Sequence, residues 1–355
     1  MRFIHIADMH FDVPFTALSK QEELGDLRRI EQREIFKKII EYIKKEKIEY
    51  LFIAGDLYEH EYVRSTTIEY INNLFKTIPE TKIFISPGNH DPILKNSYYN
   101  NYNWNHNVHI FNSEVKIYEM ENVDIYGFGF NDFYCSDSKI EEIKIKNKNK
   151  INILISHGEI NASKTEEMIY NPLNENKIKE IGFDYIALGH IHKRYINENL
   201  AYPGSCIALG FDELGEHGML DVKIEKNETK IEFIKLDEKE FVEKNIDISE
   251  IKTEEEIIEK INSEKLEENK FYKIILIGNK NLEINKNKIL KILNKKNIIK
   301  IKDETKIEID LEKVKEENNL RGYFIKEILK MKDENNYTEE EINKAIEIGL
   351  DAIKN

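Results

Sequence analysis

The chain has 355 residues, with 53 Lys and Arg against 67 Asp and Glu, which gives a formal net charge of -14. No apolar run approaches the roughly 20 residues that a membrane-spanning helix needs, and two cysteines, Cys135 and Cys206, exclude a disulfide framework, so we expect a cytoplasmic protein that does not enter a membrane. The acidic balance argues against strong non-specific binding of nucleic acid through Lys and Arg, but not against a phosphate-binding site that depends on divalent metal ions.

Five apolar stretches in the first part of the chain are each followed by a short polar turn. Their β-branched and aromatic residues predict strands, and the helical spacing within Glu31–Lys45 predicts an amphipathic helix between two of them. Strands that alternate with helices predict a layered α/β fold. The five pairs of strand and turn are Phe3–Ala7 before Asp8-Met9-His10, Tyr50–Ala54 before Gly55-Asp56, Lys82–Ser86 before Pro87-Gly88-Asn89-His90-Asp91, Ile151–Ile155 before Ser156-His157-Gly158, and Asp184–Leu188 before Gly189-His190-Ile191-His192.

After the last of these turns the pattern changes. Leu220–Ile224 and Lys230–Leu236 predict a hairpin that completes a sheet, and a smaller α/β unit follows. Two helices are predicted at the end of the chain, and the second begins with a capping box formed by Thr338 and Glu341. We therefore predict three regions, which are residues 1–245, 246–303 and 304–355.

Side chains that bind metal ions occupy all five turns. In open α/β sheets the ligand crevice lies beyond the carboxyl ends of the strands, so we expect the turns to meet. Two carboxylates, four imidazoles and one amide oxygen form a mixed set that suits Mn, Fe or Zn better than calcium. The set is Asp8, His10, Asp56, Asn89, His157, His190 and His192.

A pair of metal ions would explain why so many ligands are needed. Two ions about 3.5–4 Å apart can activate a water and stabilise the attacking and leaving oxygens when a phosphate ester is cleaved. His90 is next to Asn89 in the sequence, so it is placed to protonate the leaving oxygen. The pattern therefore favours phosphate ester chemistry at a dinuclear metal centre.

Each motif has a second interpretation when it is taken alone. Asp-x-His and Gly-Asp are common in turns that have no function. A turn explains the Gly and Asn of Gly88-Asn89-His90-Asp91, but it does not explain the His. Turn formation does not account for five such motifs in order, each at the end of a strand, and the whole set favours a metal centre.

The ordered motifs resemble those of the calcineurin-like metallophosphoesterase superfamily. Further stretches are similar to one branch of it, the DNA-repair exonucleases of the SbcD and YhaO type, which are related to the archaeal and eukaryotic meiotic-recombination nuclease. These stretches are Phe3–Asp8, Trp104 with Val108–Phe111, His192–Arg194 and Tyr202–Ser205. The resemblance covers roughly residues 1–240. It implies an α/β fold with a four-layer β-sandwich flanked by helices, a small α/β capping domain and C-terminal helices that bind a partner.

The resemblance also implies how the ligands are shared between two metal ions. One ion is held by Asp8, His10, Asp56 and His192. Asp56 bridges to a second ion, which is completed by Asn89, His157 and His190. The metal implied is Mn²⁺, with Fe, Zn or Mg as alternatives.

By the same resemblance, His90 is the catalytic acid or stabilises the transition state. Glu59 stands where related enzymes often have an Asp that orients this His, and a carboxylate there favours the imidazolium form. Two alternatives stay open. Neighbouring His60 takes this role, or Glu59-His60-Glu61 is a surface turn.

Contacts with the substrate are predicted at Lys193 and Arg194, which directly follow His192 and suit phosphate groups. The basic stretch Lys286–Lys302 either contacts DNA or is a solvated helix face. The aromatic stretch Tyr98–Trp104 either stacks on bases or packs a loop against the sheet.

Together these features predict a metal-dependent DNA nuclease of DNA repair. It would be an exonuclease, with endonuclease activity on single strands or hairpins, in which a hydroxide activated by two metal ions attacks phosphorus and His90 is the acid. The resemblance implies DNA, an SMC-like ATPase of the SbcC or YhaN kind and a second copy of the chain as partners. Two alternatives are a metallophosphatase or phosphodiesterase that acts on nucleotides or other small phosphate esters, and a non-catalytic scaffold for the ATPase. The complete ligand set argues against the scaffold.

Overall fold

The strands and helices were taken from a computed structural model, which describes residues 1–18, 22–136, 138–161, 170–225, 228–280, 282, 284–307, 311–333 and 337–353. Among the helices of these residues, none has the length and apolar composition needed to cross a lipid bilayer. The strands, in chain order, are β1 (Arg2–Ile6), β2 (Tyr50–Ile53), β3 (Lys82–Ile85), β4 (Val108–Ile110), β5 (Lys116–Glu119), β6 (Val123–Gly127), β7 (Ile151–His157), β8 (Glu159–Ile160), β9 (Pro172–Leu173), β10 (Tyr185–Gly189), β11 (Tyr195–Asn197), β12 (Leu200–Tyr202), β13 (Gly218–Glu225), β14 (Glu228–Lys235), β15 (Glu240–Asp247), β16 (Lys270–Ile277), β17 (Asn279–Lys280), β18 (Ile298–Asp303) and β19 (Lys306–Ile307).

The helices include the amphipathic helix that the sequence predicts between the first two strands. The five strands predicted before the polar turns are confirmed as β1, β2, β3, β7 and β10, and the predicted hairpin is confirmed as β13 and β14. The helices, in chain order, are α1 (Glu22–Glu46), α2 (Ser65–Phe75), α3 (Tyr98–Asn101), α4 (Glu175–Ile181), α5 (Glu254–Ser263), α6 (Lys286–Leu293), α7 (Leu311–Lys315), α8 (Leu320–Asp333) and α9 (Glu339–Ile353).

The chain divides into two compact units. The first contains residues 1–243, 266–273 and 296–299, and the second contains residues 244–265, 274–295 and 300–355.

Two sheets that face each other form the first unit. One sheet has the order β14-β13-β1-β2-β3-β4, and the other has the order β11-β12-β10-β7-β6-β5. Side chains alternate between the two faces of a strand, so Phe3 and Phe52 point into the space between the sheets. There they are fully buried with Ile153 and Tyr185 of the other sheet. This apolar interior holds the two sheets together.

Helices cover the outer faces of both sheets. Ile4 of β1 packs on the outer side against Phe36 and Ile39 of α1, in a core that also includes residues of α2. On the opposite side, Ile178 of α4 packs against Ile186 of β10. The layers therefore run helix, sheet, sheet, helix, which confirms the predicted four-layer α/β sandwich.

The pairing of the strands brings the polar turns to one edge. β1, β2 and β3 are parallel, as are β7 and β10, so the turns that follow the strands of each sheet leave on the same side. The two sheets come very close at Gly189, where an added Cβ would lie 1.9 Å from the backbone oxygen of Ala54. A larger residue at this position would push the two sets of turns apart.

The second unit contains α5 and α6 with the C-terminal parts of β15, β16 and β18, which are paired in that order. The helices α7, α8 and α9 share an apolar core that includes Val314 and Ile325. The predicted capping box of α9 is confirmed, since the backbone N–H of Glu341 donates to Thr338 Oγ1 and the backbone N–H of Thr338 donates to Glu341 Oε2. The sequence pattern did not predict β15 or α7.

Candidate metal centre

The polar turns adopt an unusual backbone conformation. Asp8, His10 and Asp56 have φ angles of 52°, 47° and 52°, and His190 has a φ of 103°. A positive φ is uncommon for residues other than glycine, and such strain is concentrated at functional sites, where the surrounding structure stabilises it. The fold therefore holds the side chains of the turns in fixed positions that the relaxed chain would not favour.

A first group of ligand atoms comes from Asp8, His10 and His192, all within 4.8 Å of one another. The Nε2 atoms of the two His residues face each other at 3.0 Å. The other ring nitrogen of each faces a carboxylate: His10 Nδ1 lies 2.6 Å from Glu59 Oε1, and His192 Nδ1 lies 2.6 Å from Glu213 Oε1. A carboxylate behind an imidazole is the usual support of a metal-binding His.

This arrangement can be tested for its fit to a cation. Since each Nδ1 donates its proton to a carboxylate, a neutral ring has only a lone pair at Nε2. Two lone pairs 3.0 Å apart repel each other unless a positive charge lies between them. Burial lowers the pKa of His192, but Glu213 and Asp8 raise it to about 10, which shows the same need for positive charge. A divalent metal ion meets this need, so the residues fit the metal.

A second group lies around Asp56, Asn89 and His157. His157 Nε2 is 2.9 Å from Asn89 Oδ1 and 3.3 Å from Asp56 Oδ2, while His157 Nδ1 donates to the backbone oxygen of Ala54 at 2.9 Å. His190 Nδ1 is 3.2 Å from Asn89 Oδ1. A neutral His157 would again point a lone pair at two oxygen atoms, which is unfavourable without a cation.

The titration of the second group follows from its charges. Burial lowers the pKa of His157, but the charge and hydrogen bond of Asp56 raise it to about 9. Burial and the neighbouring His157 lower the pKa of His190 to about 3, so this ring is neutral and can offer a lone pair. The carboxylate of Asp56 is almost fully buried and belongs both to a group with His10 and His90 and to a group with Asp8 and His157. It is therefore placed to contact two ions.

His90 lies on the open side of the centre. Its side chain is 46% exposed, and His90 Nδ1 is 2.9 Å from Glu59 Oε2. Burial lowers the pKa of His90, but the hydrogen bond of Glu59 and the charge of Asp56 raise it to about 9, so the ring is an imidazolium at neutral pH. The rival residue His60 instead packs its ring near Phe133, with 6.0 Å between the ring centroids.

Glu59 connects the open side to the first group of ligands. One of its carboxylate oxygens contacts His10 and the other contacts His90. Burial raises the pKa of Glu59, but its hydrogen bonds to these two rings lower it to about 2, so it stays ionised. The same carboxylate thus orients a metal ligand and the candidate acid.

Lys193 and Arg194 lie beside the centre and are exposed. The guanidinium of Arg194 is placed over the ring of Phe233, with 3.8 Å between Cζ and the ring centroid. Arg194 is therefore turned towards β14 in this conformation, whereas all seven candidate ligands and His90 with Glu59 come together.

Two supporting residues were not recognised in the sequence. Glu213 orients His192 and accepts a hydrogen bond from Ser205 Oγ at 2.7 Å. Asp91 accepts hydrogen bonds from the backbone N–H groups of Gly88, Asp56 and Leu57, so it joins two ligand turns. The motif that contains Asp91 was visible, but its role was not assigned. Glu213 has no spacing to any ligand that would have revealed it.

The aromatic stretch Tyr98–Trp104 packs against the core. Tyr99 is buried and donates to Asp91 Oδ2 at 2.6 Å, and Trp104 lies against Tyr99 with 6.0 Å between the ring centroids. Of the two interpretations left open by the sequence, the contacts support packing of a loop.

Comparison with known proteins gives one family and several relatives. The family model described as calcineurin-like phosphoesterase matches residues 1–194. The uncharacterized metallophosphoesterase YhaO of Bacillus subtilis is 27% identical over 267 residues, which cover 71% of this chain and 64% of that protein. The match thus spans less than two thirds of the length of YhaO.

Two further relatives are named as the SbcD component of the nuclease SbcCD. The one from Staphylococcus epidermidis is 27% identical over 283 residues, which cover 68% of this chain and 72% of that protein. The one from Staphylococcus saprophyticus is 26% identical over 273 residues, which cover 66% of this chain and 69% of that protein.

Proposed function

Since the chain belongs to the calcineurin-like phosphoesterase family, we propose that it is a metal-dependent nuclease that hydrolyses phosphodiester bonds in DNA. One observation supports hydrolysis above all: two imidazole Nε2 atoms face each other at 3.0 Å beside a further His that is charged and exposed. A site for cations and an acid are thus side by side. The substrate class is supported by the two relatives named as components of the nuclease SbcCD.

The ligands for two divalent ions would be divided as the resemblance implies. The first ion would be held by Asp8, His10, Asp56 and His192, and the second by Asp56, Asn89, His157 and His190. When bound, the ions supply Lewis acidity and stabilise the negative charge that develops on the phosphoryl oxygens. We propose Mn²⁺ as the metal.

His90 would act as the catalytic acid. Its pKa of about 9 keeps a proton on both ring nitrogens at neutral pH. Glu59 accepts the Nδ1 proton, which leaves the Nε2 proton of an exposed ring free to move to the leaving oxygen of the phosphate ester. Loss of this proton leaves a neutral ring that Glu59 still orients.

Several finer features of the function are part of the proposal. We propose that Lys193 and Arg194 bind substrate phosphates, and that residues 246–303 cap the site while residues 304–355 bind an SMC-like ATPase. Exonuclease activity with cleavage of single strands or hairpins, homodimer formation, a role in DNA repair and a cytoplasmic location also stay predictions. Residues 1–245 would carry the nuclease activity.

The experiment that tests the function is degradation of end-labelled single- and double-stranded DNA in Mn²⁺. Wild type is compared with His90→Ala, and His106→Ala, in which an exposed His is removed, is the matched control. We expect cleavage by the wild type and the control, and strong loss of cleavage by His90→Ala with Mn²⁺ still bound in calorimetry. If the metal-loaded wild type hydrolyses a small phosphate ester but no DNA, the nuclease proposal is wrong and the small-substrate alternative takes its place.

A further inference from the structure

Three aromatic rings lie in a row that begins at a metal ligand. The ring of Tyr170 is near the ring of His190, with 5.0 Å between the centroids. Tyr134 is in turn stacked on Tyr170, with 5.9 Å between the centroids and 29° between the ring planes. Tyr134 is 54% exposed, although it is a large aromatic side chain. The row therefore leads from the centre to solvent.

The backbone keeps Tyr134 and Tyr170 next to each other. Cys135 and Tyr170 form an isolated parallel bridge, and the backbone N–H of Asn171 donates to the backbone oxygen of Cys135 at 2.7 Å. The neighbouring side chain, Phe133, lies near the ring of His60. Tyr134 is thus presented by a segment with several anchors, which lowers the entropy that binding would cost.

The same segment borders the candidate acid. The backbone N–H of His60, whose ring contacts Phe133, donates to the backbone oxygen of His90 at 2.9 Å. Phe133 therefore lies on the side of His90, and Tyr134 lies on the side of His190. A strand whose phosphate reaches the centre has an exposed aromatic ring within reach of its neighbouring nucleoside.

We propose that Tyr134 is a stacking platform for a nucleobase of the DNA strand that is being cleaved. The inference rests on the proposed nuclease function and adds a residue that recognises the base instead of the phosphate. A nucleobase suits this position because it presents a flat π face, and stacking on a protein aromatic ring does not depend on its sequence. Tyr170 supports the platform from behind and is a positioning residue.

The test compares an oligonucleotide of ordinary bases with one in which the nucleotides next to the cleaved bond carry tetrahydrofuran instead of a base. Steady-state cleavage in Mn²⁺ is measured for wild type and Tyr134→Ala. Removal of one stacking contact is expected to raise the KM for the ordinary oligonucleotide about 5- to 150-fold, with a much smaller change in kcat. The KM for the abasic oligonucleotide should then be similar in both proteins.

Three variants separate stacking from packing. Tyr134→Phe and Tyr134→Trp keep a π face and should keep the preference for the ordinary oligonucleotide, whereas Tyr134→Leu should lose it. Tyr323→Ala, which removes a Tyr that is 61% exposed in α8, is the control and should keep the preference. If Tyr134→Leu behaves like Tyr134→Phe, or if Tyr134→Ala does not change the ratio of the two KM values, the stacking proposal is wrong.

A second measurement separates this inference from the nuclease proposal. Quenching of 2-aminopurine fluorescence in a bound oligonucleotide reports stacking without cleavage. Quenching that is present in wild type and absent in Tyr134→Ala supports the platform even when DNA is not cut, which would overturn only the nuclease proposal. Binding of the labelled oligonucleotide with equal quenching in both proteins, or no binding at all, overturns the platform.

Discussion

The floor of the metal centre and its rim differ in how firmly their side chains are fixed. The floor is formed by side chains no more than 2% exposed, namely Asp8, His10, Asp56 and His157. On the rim, the side chain of His90 is 46% exposed and that of Tyr134 is 54% exposed. The difference suggests that the floor is built to hold cations in one geometry, whereas the rim is open to the substrate. Substitutions in the two regions should therefore affect different measurements.

The largest effect is expected when the floor loses its shared carboxylate. Asp56→Asn removes the negative charge that both ions would use, so metal binding and the Lewis acidity it supplies are lost. This contribution is several kcal/mol, so kcat/KM should fall by at least about 10³-fold. Mn²⁺ titration by calorimetry and DNA cleavage measure the two effects. Asp26→Asn, at an exposed Asp, is the matched control, and tight Mn²⁺ binding by Asp56→Asn would contradict the shared role.

A substitution on the rim should break the link between metal binding and activity. His90→Gln removes the acid but keeps a polar side chain, so kcat should fall about 10²- to 10⁴-fold. The affinity for Mn²⁺ should change little, because the ring belongs to the open side of the site. Calorimetry and single-turnover cleavage give the two values. A large loss of Mn²⁺ affinity would show that His90 is a ligand and would remove the distinction between floor and rim.

Glu213 offers a sharper test, since it supports a ligand without being one in this interpretation. Glu213→Gln leaves His192 without its carboxylate, and the loss of such a partner typically weakens metal affinity about 10- to 100-fold. At saturating Mn²⁺ the kcat should return close to the wild-type value. Glu216→Gln, at an exposed Glu in the same loop, should behave as wild type. If excess Mn²⁺ does not restore the activity of Glu213→Gln, its role is not confined to orienting the metal ligand.

The contrast between floor and rim also explains what the sequence could and could not predict. The ligands Asp8, Asp56 and His157 each lie at or near the end of an apolar strand, so local pattern and the geometry of a layered fold were enough to place them at one edge. Glu213 reaches His192 from a loop 21 positions further along the chain. Only the tertiary fold determines that contact, and no local pattern marks it.

The same limit applies to the elements that were not predicted. β15 has the sequence Glu-Phe-Val-Glu-Lys-Asn-Ile-Asp, in which only Phe241 and Ile246 are buried, so the alternation of a strand is weak. α7 spans Leu311–Lys315 and is too short to show helical periodicity. Strong periodicity revealed the elements that build the sandwich, whereas short or weakly amphipathic elements depend on their neighbours.

The smallest effect is expected at the basic residues of the rim. Lys193→Ala should weaken DNA binding a few-fold and reduce by about one the slope of log K against log salt, since one phosphate contact is lost. Arg194→Ala should change the slope less, because the guanidinium lies over the ring of Phe233 and must leave it to reach a phosphate. Fluorescence anisotropy of labelled DNA at several salt concentrations gives both slopes, with Lys45→Ala, at an exposed Lys, as the control. Equal slopes for Lys193→Ala and the control would mean that Lys193 does not contact phosphate, and a larger change for Arg194→Ala than for Lys193→Ala would show that DNA binding draws Arg194 away from Phe233.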